Sequence, residues 1–314
     1  MNLIKTIKAF TLPISMLVGI AAYFIYTAIP TLACTKPFVS AFISIIQPAL
    51  IFSMLFITFC KIDMHSIRLR PWHLWLLGVQ VAFFLLMCGI LLLFPHTAWR
   101  VVVEGALLCL ICPTATAAAV VTNKLGGSAA DITTYTILIN LTTAVVVPLM
   151  LPAVHPQAGI TFATSFGMIL GKVFPLLFCP FIAALAVHQW FPTLRAAICR
   201  TTDLAFYLWT VALAIAIAVT VKSIMHSQVE LLLQVGIAIA SLICCILQFA
   251  IGRLLGARYG SPISGGQALG QKNTVFAIWM GYTFLTPVTS IAGGFYSVWH
   301  NVFNSYQLYR AGRS

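Results

Sequence analysis

Gly265-Gly266-Gln267-Ala268-Leu269-Gly270-Gln271-Lys272-Asn273-Thr274 sets three glycines, three amides, a threonine and a lysine in the middle of an apolar stretch. Its meaning depends on where that stretch lies. Of 314 residues, 61% are hydrophobic and 7% are charged, against roughly a quarter charged in an ordinary soluble domain. So few charges cannot solvate a water-soluble surface, and the chain reads as an all-α polytopic membrane protein. In a bilayer an ammonium at the helix centre costs about 2.5 to 3.5 kcal/mol on insertion scales, and an intramembrane ionisable residue marks a functional site by default. Lys272, with Gln271 and Asn273 beside it, Gln267 one turn earlier and Thr274 in the same turn, is therefore the leading candidate. The alternative is a helix that starts later and lets Lys272 snorkel to the interface.

A second interruption, Cys112-Pro113-Thr114-Ala115-Thr116, lies upstream. Pro113 removes a backbone donor, while Thr114 and Thr116 offer hydroxyls that either bind a ligand or bond back to their own helix. A hydrocarbon core about 30 Å thick needs ~20 helical residues to cross. Cutting at charges and Pro/Gly punctuation gives ten spans, at about residues 10–30, 37–60, 73–95, 99–123, 129–152, 163–190, 203–223, 229–252, 263–286 and 288–309. The two interruptions fall in spans four and nine, corresponding members of two halves of five. An odd number of spans per half sends the second half in from the opposite side. The pattern predicts an inverted repeat of residues 1–155 and 156–314, with broken helices in matching positions at a transporter's central site.

Lys and Arg number 17 against 5 Asp and Glu. On alternate sides, Lys5, Lys8, Lys61, Arg68, Arg70, Lys124, Arg195, Arg200, Arg253, Arg258, Arg310 and Arg313 share one face, and Lys36, Arg100 and Lys222 the other. The positive-inside rule makes the first face cytoplasmic, with both termini there, in what reads as a bacterial inner membrane. The basic balance thus reports orientation toward anionic lipid and not nucleic-acid binding. Trp72, Trp75, Trp99 and Trp190 fall near span ends, as an interfacial belt requires. Lys172 is expected to snorkel outward, and Glu104 to form a surface i,i+4 pair with Arg100. His300 and Asn301 either bond neighbouring helices or line the cavity. Cys88, Cys109, Cys112, Cys179, Cys244 and Cys245 lie in apolar runs as small hydrophobes. Metal-ligand and nucleophile–base spacings are missing, so neither a metal site, a cofactor nor an enzyme is expected.

The stretch from Cys112-Pro113-Thr114-Ala115-Thr116-Ala117 through Asp131 to Pro148 resembles helices four and five of the bile acid:sodium symporter family. Gln271-Lys272-Asn273-Thr274, Thr286-Pro287 and Tyr296-Ser297-Val298-Trp299-His300-Asn301 are similar to its helices nine and ten. The resemblance implies a panel domain of spans 1, 2, 6 and 7 and a core domain of spans 3–5 and 8–10, with broken helices four and nine crossing beside a substrate cavity. It also implies sodium sites, and here the chain departs from the pattern. The glutamate of helix nine becomes Gln267, the Ser-Asn pair of helix four becomes Ala118-Ala119, and Lys272 enters beside the Gln-Asn pair; Gln80 stands about two residues from the glutamine of helix three.

Each departure acts against sodium, because hard cations need oxygen ligands and a neutralising carboxylate. At 4 Å and an effective dielectric of 20, Lys⁺ against Na⁺ costs about 4 kcal/mol. The resulting expectation is a secondary transporter that moves a small organic anion by alternating access without sodium, Lys272 standing in for the cation. The site comprises Thr114, Thr116, Gln267, Gln271, Lys272, Asn273, Thr274, His300 and Asn301. A proton on Lys272 is an alternative coupling ion. The competing readings are a conventional sodium symporter, with ions on backbone carbonyls and on Thr114, Thr116, Gln271 and Asn273, and a non-transporting receptor or sensor.

Overall fold

A computed structural model describes residues 3–63, 66–156, 159–201 and 204–311, with side chains from residue 13 onward. Arg313 and the side chains of Lys5 and Lys8 lie outside the described residues. The chain is helical throughout: α1 (Leu3–Ala28), α2 (Lys36–Cys60), α3 (Pro71–Leu93), α4 (Arg100–Ile111), α5 (Ala118–Lys124), α6 (Ala129–Val154) and α7 (Phe162–Trp190) are followed by α8 (Pro192–Arg200), α9 (Leu204–Met225), α10 (Leu231–Ala257), α11 (Pro262–Gly270), α12 (Thr274–Phe284) and α13 (Pro287–Ala311). Among the described residues, six segments are long and apolar enough to cross a bilayer: Pro30–Cys60, Pro71–Leu93, Ala129–Val154, Phe162–Trp190, Leu204–Met225 and Leu231–Ala257. Their outward faces carry residues such as Phe38, Ile45 and Leu231, each more than 70% exposed. Those surfaces suit lipid and not water, so the protein is an integral membrane protein.

The packing sorts the helices. α1 lies on α9, and α2 on α7 and α9, while α10 packs against α4, α11 and α13, and α3 against α4 and α6. The predicted fourth interval holds α4 and α5, and the ninth holds α11 and α12.

Two expectations are corrected here, and one helix is added. The interruption of the ninth interval is narrower than its glycine run: Gly265, Gly266 and Gly270 are helical, and only residues 271–273 leave the helix. The glycines serve packing instead, since a Cβ on Gly265 would come within 2.3 Å of the Gly252 carbonyl oxygen on α10. Residues 192–200, left between the sixth and seventh intervals, form α8, whose proline at the first turn supports helix initiation. Trp75, Trp99 and Trp190 are exposed as an interfacial belt requires, but Trp72 is fully buried, in a cluster with Leu76, Tyr135 and Leu269.

Candidate functional site

α4 stops at Ile111 because Pro113 has no amide to donate back along the helix, and α11 stops at Gly270. The two breaks meet. Thr114 and Lys272 pair as an antiparallel bridge, with Ala115 N–H donating to Gln271 O (2.9 Å) and Asn273 N–H to Pro113 O (2.8 Å). Residues about 150 positions apart thus form a short two-stranded ribbon inside a helical protein. In hydrocarbon each unpaired amide or carbonyl costs several kcal/mol, so a break survives only where such partners exist.

Several further carbonyls at the helix ends are met by side chains. Gln80 Nε2 donates to Ile111 O (3.2 Å) and Cys112 O (3.0 Å), with its own Oε1 accepting from Tyr135 Oη (2.9 Å). Gln248 Nε2 donates to Cys109 O (3.2 Å) and to Tyr296 Oη (3.1 Å), and Tyr296 Oη donates to Gly270 O (2.8 Å). Thr114 Oγ1 donates to Ala268 O (2.6 Å), while Asn273 Oδ1 accepts from Phe276 N–H (3.2 Å) as the cap of α12.

Lys272 sits inside this frame. It is 1% exposed, and its Nζ is buried with no hydrogen-bond partner among the described residues. Its electrostatic neighbours are the thiols of Cys109, Cys112, Cys244 and Cys245, so the snorkelling alternative does not hold. What favours a cation there is geometry: Lys272 lies two residues past the end of α11 and is bridged to the segment just past the end of α4. The C-terminal end of each half-helix carries roughly half a negative charge.

The other expected residues differ in what they contact. Gln271 is buried in the same break and Thr274 at the first residue of α12, and the Gln271 side-chain oxygen has no partner among the described residues. Thr116 is half-buried in the turn after Thr114. Gln267 turns to α13, donating to Asn304 Oδ1 (2.9 Å) and Gln307 Oε1 (3.2 Å). Asn301 Nδ2 bonds back to Ser297 O (2.6 Å) within α13, and His300 is buried edge-on to Tyr296, 5.7 Å between ring centroids. These last two therefore act first in packing. Ala118, where the resemblance implies a serine, is buried in the Trp72 cluster and has no side-chain ligand atom.

One relative sharpens the reading. The chain is 24% identical over 274 residues, 85% of its own length and 82% of the other's, to a protein of Bacillus subtilis (strain 168) described as an uncharacterized sodium-dependent transporter, YocS. No family model matches the chain.

Glu104 is the residue that the sequence misjudged. The pair with Arg100 exists, Nε to Oε1 at 3.0 Å, but Glu104 is 1% exposed and not on the surface. Oε1 also receives His155 Nδ1 at 3.0 Å and Oε2 accepts from Thr289 Oγ1 at 3.0 Å. It ties the start of α4 to the end of α6 and the first turn of α13. Its partners lie 51 and 185 residues away, beyond any local pattern. Lys172 is exposed, with Nζ 5.8 Å above the Phe284 ring.

Proposed function

We propose that this protein is a secondary transporter that moves a small organic anion across the plasma membrane by alternating access, with the Lys272 ammonium in the place of a coupling cation. The observation that carries the reading is a fully buried lysine without a hydrogen-bond partner, at the meeting point of two broken helices. Burial of that charge is costly, and at such a position it serves as a fixed cation toward an anionic substrate. The likeness to a protein described as a transporter supports the class.

The architecture proposed with it is a five-plus-five inverted repeat of residues 1–155 and 156–314, both termini cytoplasmic. α1, α2, α7 and α9 form a panel, and the remaining membrane helices a core around the crossing. The panel grouping draws support from the packing of α1 on α9 and of α2 on α7 and α9.

Charge, and not a lack of oxygen atoms, opposes a sodium ion at the crossing: the Gln267 and Gln271 side-chain oxygens are buried without partners among the described residues, but Lys272 brings a positive charge beside them. Lys272 forms no ion pair among the described residues, so a carboxylate to balance a second cation is missing there. The rival reading, a conventional sodium symporter, rests on the description of the Bacillus subtilis relative. Proteoliposome uptake of a panel of small organic anions, with and without imposed sodium and pH gradients, separates them. Saturable uptake of at least one anion, unchanged when choline replaces sodium, is expected. Sodium-activated uptake would favour the rival, and ligand binding without any flux would make the protein a receptor.

A further inference from the structure

α10 and α13 run side by side in the same direction. Near one end Trp299 Nε1 donates to Ala238 O (3.2 Å) and Ser241 Oγ (3.1 Å), and further along the rings of Phe249 and Phe303 lie 4.3 Å apart. Between these two helices and α11 opens a cleft of about 150 Å³, whose walls include Phe249, Ala250, Arg253, Ile263, Phe303 and Gln307. An apolar cavity of about this size is large enough for a benzene-sized guest. Its mouth lies on the outer surface of the helix pair: Ile246 and Leu254 of α10 are 56% and 68% exposed. In a bilayer that surface meets lipid, so an occupant enters sideways from the membrane.

Both walls follow the same pattern toward the same end. Ile246, Ala250 and Arg253 stand at i, i+4 and i+7 on α10, and Phe303, Gln307 and Arg310 repeat the spacing on α13, so each stripe occupies one helix face. Each stripe ends in an exposed arginine, and neither Arg253 nor Arg310 forms an ion pair among the described residues. Arg310 lies 6.0 Å over the Tyr306 ring, which leaves the N–H edges of its guanidinium available. An apolar slot with the Arg253 guanidinium in its wall, and with Arg310 one turn beyond the lining residue Gln307 on the same face of α13, matches an amphiphile with an anionic head, and basic pockets between membrane helices take anionic lipid headgroups.

We propose that this cleft binds one anionic phospholipid, its phosphate held by Arg253 and Arg310 and a segment of acyl chain lying against Phe249 and Phe303. The inner wall gives the site a reach beyond anchoring. Gln307 accepts from Gln267 of α11, and the Gln267 side-chain oxygen and Asn304 Nδ2 behind it are buried without partners among the described residues. The lipid thus contacts the half-helix that ends at the Lys272 break.

The test is native mass spectrometry of the full chain in a neutral detergent, titrated with phosphatidylglycerol and with phosphatidylcholine of identical chains. The wild type should bind one phosphatidylglycerol about 10-fold or more tightly over phosphatidylcholine, since each basic residue near a headgroup favours the anion. The double variant Arg253→Gln/Arg310→Gln, both sites exposed, should bind the two lipids alike. Ala250→Trp, on the exposed face, should weaken both by obstructing the slot. Melting temperatures without lipid confirm that the variants fold. Equal affinity of the wild type for the two lipids, or a preference that survives the double variant, would overturn the proposal. Displacement of phosphatidylglycerol by equimolar glycerol 1-phosphate would also overturn it and assign the site to a soluble anion.

Discussion

A lysine buried away from acids keeps its charge only with help from its surroundings, and Lys272 stands just past the end of α11, bridged to the segment just past the end of α4. A guanidinium would keep the charge but needs room for a planar fork, whereas an amide removes the charge altogether. Lys272→Gln is therefore expected to lower uptake of the anion identified in the screen by at least ~10-fold, and Lys272→Arg by only a few-fold. Neither variant should become sodium-activated. Equal activity of Lys272→Gln and wild type would remove the charge from the mechanism. At this scale the sequence was informative where chemistry is local: a lysine among amides, and a proline between threonines, announce themselves. Glu104 was opaque because two of its three partners arrive from α6 and α13, and the ends met by Gln80, Gln248 and Tyr296 become visible only when helices distant in sequence are laid together.

The broken helices are elements whose cost is met by their neighbours. α11 approaches α10 through glycines, and the contact is closest where a Cβ on Gly265 would lie 2.3 Å from Gly252 O and 2.8 Å from the Gly256 Cα. Gly265→Ala must push these backbones apart, and overpacking of this kind costs about 1 to 3 kcal/mol. Its melting temperature should fall by several degrees. Gly266→Ala is the internal control, because its Cβ would meet nothing closer than 3.5 Å. Equal melting of the two variants would contradict the packing role. The sequence placed both breaks in the right spans but drew the second too wide. Glycine reads as a helix breaker in isolation, yet in a membrane helix it also permits close approach, and α10, which decides between the two, is not local to the run. Residues 192–200 illustrate the reverse case, since nine residues between spans are too few for a hydropathy signal and still enough for two turns.

For the whole molecule, the ten intervals and the biased Lys and Arg distribution carry the proposed topology and, with it, the proposed inverted repeat. Reporter fusions after residues 126 and 314 should give cytoplasmic signals and a fusion after residue 156 an external one. A cytoplasmic signal at 156, or an external one at 314, would contradict the repeat. Hydropathy makes this level legible because bilayer thickness acts on every span alike. What hydropathy does not contain is which helices pack together: the panel of spans 1, 2, 6 and 7 is implied by the family resemblance, and the packing of α1 on α9 and of α2 on α7 and α9 supports it. The central claim is that a buried ammonium occupies the place of a coupling cation, and equilibrium binding of ²²Na⁺ to the purified protein tests it without knowledge of the substrate. No saturable binding is expected for the wild type up to about 100 mM sodium, since a second cation 4 Å from Lys272 is opposed by about 4 kcal/mol; saturable binding at millimolar sodium would contradict the account.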